Sequence, residues 1–407
     1  MEEEICLAAI PEEHYRDYRY KVIFDAYKWD PQVGDEDTIA RQVVLLGRET
    51  ASQLEAFAEA LSEETIAVEE ALVKRPELAK NLGFSTKIQS TLSRLDNYER
   101  EKHVRLMRFD FHPTETGWAV SEVNSDVPGG LAEASILPKI AGRYFDGYEP
   151  GKSVSDALLS SFSAKSRAGG RVAFVHATSY SDDQQVMRFL SDCFDEAGFE
   201  AFLAAPDHIR WRDKKAFSIL DSREGELDGI VRFFPLEWLT NLPRGSDWPG
   251  YYDCETCSCN HPIAIFAQSK RLPLVWDELD LKLDTWKDLL PETVDPRTKG
   301  LNGDWIFKPA LGRVGEGISI KEAMDEKEYR RIIKAVKRHP KDWLAQKKFS
   351  SKPIKAPDGT DYHPCVGVFT VDGKCAGFYG RISKYPRIDA KAKDIPLLVF
   401  KGGKADV

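Results

Sequence analysis

Alternation of apolar and polar positions is clearest in RLMRFDFHPTETGWAVSEVN, residues 105–124. Residues 105–112 and 118–124 have the period-two rhythm of strands, and Thr114-Glu115-Thr116-Gly117 between them has turn chemistry, so the stretch predicts a hairpin. A second hairpin is predicted in CVGVFTVDGKCAGFYGRIS, turning at Asp372-Gly373 and carrying Arg381 on its return strand. Helix-spaced apolar residues run from about Asp37 to Lys80, with Ser62 placed to cap the second of two helices. Residues 145–170, rich in Gly, Ser and Lys, read as a connection. Then RVAFVHA, DDQQVMRFLSDCFDEAGF, FEAFLAA and LDGIVRFF alternate strand, helix, strand and strand, which is a Rossmann-like unit. Near the end, DWIFKPALGRVGEGISI predicts a strand bearing Lys308, a glycine-rich turn and a second short strand, and WLAQKKF predicts another strand. The expected class is α/β (α+β). A mostly helical region spans 1–104, the first hairpin and the start of a core 105–165, the Rossmann-like unit 166–265, and a lid with the rest of the core 266–407.

Composition narrows the classes of function. The chain has 407 residues, 42% of them hydrophobic, enough for a large core in two or three subdomains. A net charge of −9 lacks the footprint of a nucleic-acid binder, and the basic helix in EKEYRRIIKAVKRHPKDW reads as a solvated face. The N-terminal MEEEICLAAIPEEHY has no basic leader, and apolar runs such as PIAIFA stop short of a membrane span, so a cytoplasmic protein without membrane or nucleic-acid partners is expected. Seven cysteines, an odd number, argue for reduced thiols. The cluster Cys254, Cys257, Cys259 with His261 lacks the second ligand pair of a structural zinc site and reads as a loop of free thiols.

Candidate chemistry sits on the first hairpin. If Asp110 lies opposite Glu122, the same register sets Arg108 opposite Asn124, and all four side chains share one face. Two carboxylates and an amide oxygen suit a hard cation such as Mg²⁺, whose remaining ligands are typically waters and phosphates. A matching anion site is offered by Gly312 and Gly315 in the glycine-rich stretch, where backbone N–H groups can approach phosphate while Lys308 and Arg313 neutralise it. Alone, that stretch would read as a surface turn. No GxGxxG follows the first Rossmann-like strand, no GxxxxGK[ST] occurs, and no Ser-His-Asp or Cys-His signature is present.

Taken together, RFD…EVNSD, SKRLPLVWDEL, FKPALGRVGEG and AGFYGRIS resemble the synthetase domain of the glutathionylspermidine synthase family, in the ATP-grasp superfamily of carboxylate-amine ligases, over roughly residues 30 to 400. The resemblance implies an ATP-grasp-type fold, with ATP and Mg²⁺ as cofactors. It implies Asp110, Glu122 and Asn124 as metal ligands, Lys308 and Lys270 as phosphate-binding lysines, and Arg108, Arg313 and Arg381 as the cations that stabilise the reacting groups. Gln346, with Lys347 beside it, falls where the family meets adenine, and the Gly312–Gly315 turn becomes a closing lid. Asp126 and Glu237 are the substrate candidates, Glu237 on the amine side. The implied reaction moves the γ-phosphoryl of ATP onto a small or peptide carboxylate, and an amine, a polyamine in the family, then attacks the acyl phosphate.

This chain departs from the family at Val127-Pro128-Gly129-Gly130, where small hydroxyl residues are usual. A glutathione carboxylate would find only backbone amides there. The amidase domain that some relatives carry is not expected, and a homo-oligomer is compatible with the sequence. Two other classes stay open: a nucleotide-binding protein of the same fold without turnover, and a kinase-like phosphotransferase that stops at the phosphorylated product. His176, in a buried-strand pattern, reads as a core residue.

Overall fold

The structure, a computed structural model, describes residues 4–29, 31–95, 98–242, 247–298, 300–301, 304–312, 315 and 317–402. Its centre is a six-stranded antiparallel sheet that takes strands from distant parts of the chain. Gly117–Asn124 pairs Leu106–Thr114, which pairs Asp361–Val371, then Lys374–Ser383 and Lys393–Ile395, while the short strand Ile354–Lys355 also pairs Asp361–Val371. Both predicted hairpins are present, and Asp372 and Gly373 both adopt positive φ, as a two-residue turn requires.

One helix, Arg48–Lys74, covers this sheet with Leu54, Ala58, Leu61, Ile66, Val68 and Leu72 buried. It replaces the two helices expected there. No Gly or Pro interrupts residues 48–74, and Ser62, expected as a cap, is buried mid-helix, where its hydroxyl accepts from Thr370 Oγ1 of the sheet at 3.2 Å. The N-terminal region is also less helical than expected. Ile5–Ala9 and Gln42–Leu46 form a sheet completed by Leu397–Phe400 and Tyr148–Glu149, so the two ends of the chain close on each other. The expected connection at 145–170 contains the helix Val154–Lys165, because Val154, Leu158 and Phe162 recur at helical spacing and are buried.

The Rossmann-like unit is present as four parallel strands in the order Cys257–Cys259, Gly229–Phe233, Arg171–His176, Glu200–Ala204, with the helix Ser181–Glu196 between the last two in sequence. His176 ends its strand buried, as expected of a core residue. The segment expected as a lid holds a three-stranded sheet of Thr293–Val294, Trp343–Lys347 and Trp305–Pro309, with the helix Glu326–Arg338 between the last two in sequence. Residues 318–320 are not a strand, although Ser319 N donates to Phe307 O at 3.0 Å and lays that segment along the lid. Among the described residues no helix is long and apolar enough to cross a membrane.

Helix, hairpin and Rossmann-like unit meet at Arg105. Its guanidinium forks onto Glu69 of the long helix and donates to Ser125 O at 3.0 Å and Asn260 Oδ1 at 3.2 Å, while the Asn260 amide clamps both Leu106 O and Ser125 O at 2.9 Å. Every donor in this junction has a partner, which is the condition under which a buried ion pair holds elements in register. Replacing Glu69 by Ala would leave Arg105 charged and buried. The expected cost is about 3–5 kcal/mol, measured as a lowered midpoint in urea unfolding; an unchanged midpoint would show that the junction is not carrying the three elements.

Candidate functional site

Regular pairing runs from Thr114↔Gly117 to Phe111↔Val120 and then breaks, so that Asp110 pairs with Glu122 and Arg108 with Asn124. Ser121 is therefore an extra residue in its strand, a bulge. Without it, the tight turn would set Asp110 opposite Ser121 and turn Glu122 to the other face of the sheet. Lys308 Nζ donates to the carbonyl of this bulge residue, Ser121 O, at 3.1 Å. The register read from the sequence is thus present, by a device the alternation did not reveal.

Around this platform lies a cleft of about 560 Å³, lined by Arg108, Asp110, Glu122, Asn124, Lys308, Gly315 and Arg381 among the sequence-predicted residues. Its charges are paired. Arg108 forks onto Asp110 with Nε at 2.7 Å and Nη2 at 2.9 Å, and its Nη1 donates to Gly129 O at 2.6 Å. Room for that side chain comes from Gly367 on the neighbouring strand, because a Cβ there would lie 2.9 Å from Arg108 Cδ. Asn124 Nδ2 donates to Asp110 at 3.0 Å. Lys270 Nζ meets Glu122 at 2.9 Å and donates to Gly312 O at 2.6 Å, which places both residues just behind the cleft wall.

Burial acts against the charged form of every group here, and the partners decide the outcome. Burial alone would raise the Glu122 carboxyl, yet Lys270, Lys308 and Arg108 hold it down to about 2. Burial pushes the Lys308 ammonium down to about 8, with Glu122 opposing the shift and Lys270 adding to it. His112, on the strand that carries Asp110, is driven down to about 4 by burial, and its Nε2 lies 3.1 Å from Ser121 Oγ.

The remaining predicted residues are placed differently. Asp126 is fully buried and does not line the cleft: it is ion-paired with Arg232 at 2.5 Å and accepts from Leu236 N at 3.0 Å, tying the hairpin to the Rossmann-like unit. It is not placed to touch a substrate. Glu237 stands beside the cleft, whose wall there is made by Pro235 and Trp238. Gln346 is buried in the lid, its Nε2 on Thr293 Oγ1 at 3.0 Å and its Oε1 without a donor among the described residues. Lys347, next on the strand, is exposed on the opposite face. Arg313 lies outside the described residues. Cys257 and Cys259 are buried on an edge strand, and among the described residues no group of three or more His, Cys, Asp or Glu could hold a metal.

Sequence reasoning missed several cleft residues, chiefly Lys28, Glu133, Tyr379 and Asp394. Tyr379 sat inside a stretch already singled out, two residues before Arg381, on the same face of its strand. The other three come from segments with no distinctive local pattern.

Comparison with known proteins places this geometry. The family model of the glutathionylspermidine synthase pre-ATP-grasp region matches residues 13–399. Among solved structures, a glutathione synthetase-like effector from Globodera pallida, in its apo form, aligns with a TM-score of 0.62 at 11% identity over 95% of this chain and 97% of that one. That likeness shows a shared fold. A putative gamma-glutamylcysteine synthetase from Methylobacillus flagellatus KT aligns with a TM-score of 0.43 at 13% identity, over 83% of this chain and 88% of that one. No curated protein matches the chain.

The coupling of Lys308 to Glu122 can be read directly. In protein labelled with ¹³Cε-lysine, one resonance is expected to titrate near pH 8 and to vanish in Lys308→Met. In Glu122→Gln the anion that favours the ammonium is gone, so the titration should move down by about one to three units. A titration left in place in that variant would show that Glu122 does not govern the lysine.

Proposed function

The chain belongs to the glutathionylspermidine synthase pre-ATP-grasp family, and on that premise we propose that it is an ATP-dependent carboxylate–amine ligase that forms ADP through an acyl phosphate. The observation that carries the reading is the single face of the hairpin on which Arg108, Asp110, Glu122 and Asn124 stand, with Lys308 reaching Ser121 across it. The donors of this set suit Mg²⁺. Two carboxylates and an amide oxygen are hard ligands, and fewer than a full protein shell leaves positions for water and phosphate. Bound at Asp110, Glu122 and Asn124, the ion would neutralise phosphate charge.

Carboxylates are poor electrophiles, so the γ-phosphoryl group moves to a carboxylate oxygen of the acid as the bond to ADP breaks. The amine nitrogen then attacks the carbonyl carbon, inorganic phosphate departs with the C–O electron pair, and the nitrogen gives up a proton. No protein nucleophile is needed. The chain's part is to position the reactants and meet negative charge. Lys308 and Lys270 are assigned to the phosphates, because each already balances a carboxylate from which phosphate oxygens can draw it. Arg108 and Arg381 are assigned to the reacting carboxylate and phosphoryl oxygens. Gln346 Oε1, a buried acceptor awaiting a donor, is the kind of group an adenine amino group satisfies. Gly315 lets the lid approach, since a Cβ there would lie 2.2 Å from Ile388 O, and a lid so close to the core excludes water from an acyl phosphate.

ADP release measured across a grid of acids (glutathione, short peptides, amino acids) and amines (spermidine, other polyamines, amino acids) tests the reading. ADP is expected only with a particular pair, together with a product lighter than the sum of the two by one water. Asp110→Ala and Lys308→Ala should each lower the rate by at least about 100-fold. A phosphorylated acid that accumulates whatever amine is offered would mean a phosphotransferase, and unaltered turnover in both variants would put the chemistry elsewhere.

A further inference from the structure

Lys28 follows the first helix, Glu12–Phe24, and its segment is fastened to the helix Ser181–Glu196 by Tyr27 OH on Asp192 at 2.6 Å and Trp29 N on Gln185 Oε1 at 3.0 Å. So held, the Lys28 ammonium reaches the cleft wall and donates to Glu133 and, at 2.6 Å, to Asp394 Oδ2. The other Asp394 oxygen accepts from Tyr379 OH at 2.6 Å and faces Arg381 Nε at 3.7 Å. The ring of Tyr379 then carries Arg108, whose Cζ lies 4.8 Å from its centroid. It is confined on the side of Gly130, where even a Cβ would come within 2.8 Å of it. An unbroken set of contacts therefore runs from Lys28 to the guanidinium that forks onto Asp110.

The acidic pair Glu133 and Asp394 could be mistaken for a pocket for an incoming amine. It is already filled by the chain's own ammonium, and the local charge closes: two carboxylates against Lys28 and Arg381. Nothing in the reaction consumes Lys28, and the ion pairs leave it no role as a nucleophile. What the arrangement does is anchor the ring on which Arg108 rests. We propose that Lys28 and Asp394 are positioning residues: Lys28 holds Asp394, Asp394 holds the Tyr379 hydroxyl, and the Tyr379 ring sets the plane in which Arg108 is presented to Asp110, while Arg381 is held separately by Asp389 O at 2.7 Å and Ala392 O at 2.9 Å. The inference rests on the platform reading above, in which Asp110 is a metal ligand. Without Lys28, Asp394 and Glu133 repel each other and the Tyr379 ring loses its anchor.

The test is calorimetric titration of a non-hydrolysable ATP analogue into the full chain, with and without Mg²⁺. The readout is the ratio of the two affinities, which reports the metal platform apart from the lysines and the lid. In Lys28→Met this ratio should fall by about 10- to 100-fold, the usual effect of removing support from a metal ligand. Affinity without Mg²⁺ should stay close to that of the parent, and Lys28→Arg should restore part of the ratio. Tyr379→Phe keeps the ring and cuts only the link to Asp394, so it should lower the ratio too and keeps the test decisive if Lys28→Met does not fold. Equal losses with and without Mg²⁺ would show a merely structural role, and a parental ratio in both variants would overturn the relay while leaving the platform standing. A parent protein whose binding is indifferent to Mg²⁺ would overturn the platform reading, and this inference with it.

Discussion

In a hairpin closed by a tight turn, side chains on opposite strands are locked in pairs, and Thr114↔Gly117 through Phe111↔Val120 obey that lock. Continued, it would place Glu122 on the face away from Asp110, and no acidic pair would exist. One inserted residue, Ser121, changes the parity of the strand from that point on. Every later feature of the cleft follows from it. Asp110 and Glu122 come to one face, Arg108 and Asn124 fall in beside them, and the carbonyl of the bulge residue accepts from Lys308. Strand parity is an all-or-none constraint, which is why a single residue can decide whether the site exists.

Charge balance is the second constraint. Lys308 is buried, and so is Asp110, in a region where an unpaired charge would be costly. The site meets that cost internally: Arg108 with Asp110, Lys270 with Glu122, Lys28 and Arg381 with Asp394, while Lys308 donates to Ser121 O. A polyanion together with a cation can exchange into such a network without leaving a bare charge, since phosphates take over the lysines as the metal takes over the carboxylates. Either alone would strand its counterpart. The same logic makes Arg105 with Glu69 and Arg232 with Asp126 structural pairs, because all four are buried and none lines the cleft.

Much of this was legible in the sequence where short-range physics decides the outcome. Hairpins at 105–124 and 365–383 and the parallel unit from Arg171 onward follow from alternation and turn chemistry, while the four platform residues share the face that the assumed register gave them only through a bulge at Ser121 that alternation does not show. Errors arose where distant parts of the chain decide. Ser62 looked like a cap because its role is set by Thr370, more than 300 positions away, and Val154–Lys165 looked like a linker because its three buried apolar residues are diluted by serines. Asp126 looked like a substrate ligand by proximity to the Glu122–Asn124 motif, although Arg232 claims it from the Rossmann-like unit. Lys28 and Asp394 were silent for the same reason: their meaning lies in each other, at opposite ends of the chain.

The claim at the centre of this account is that one face of the hairpin receives a metal and a triphosphate together. A crystal structure of the protein with Mg²⁺ and a non-hydrolysable ATP analogue tests it most directly. The account predicts metal density against Asp110 and Glu122, with Lys270 turned from Glu122 to a phosphate oxygen. Phosphates bound elsewhere, with no metal against Asp110 and the Lys270–Glu122 pair intact, would contradict it.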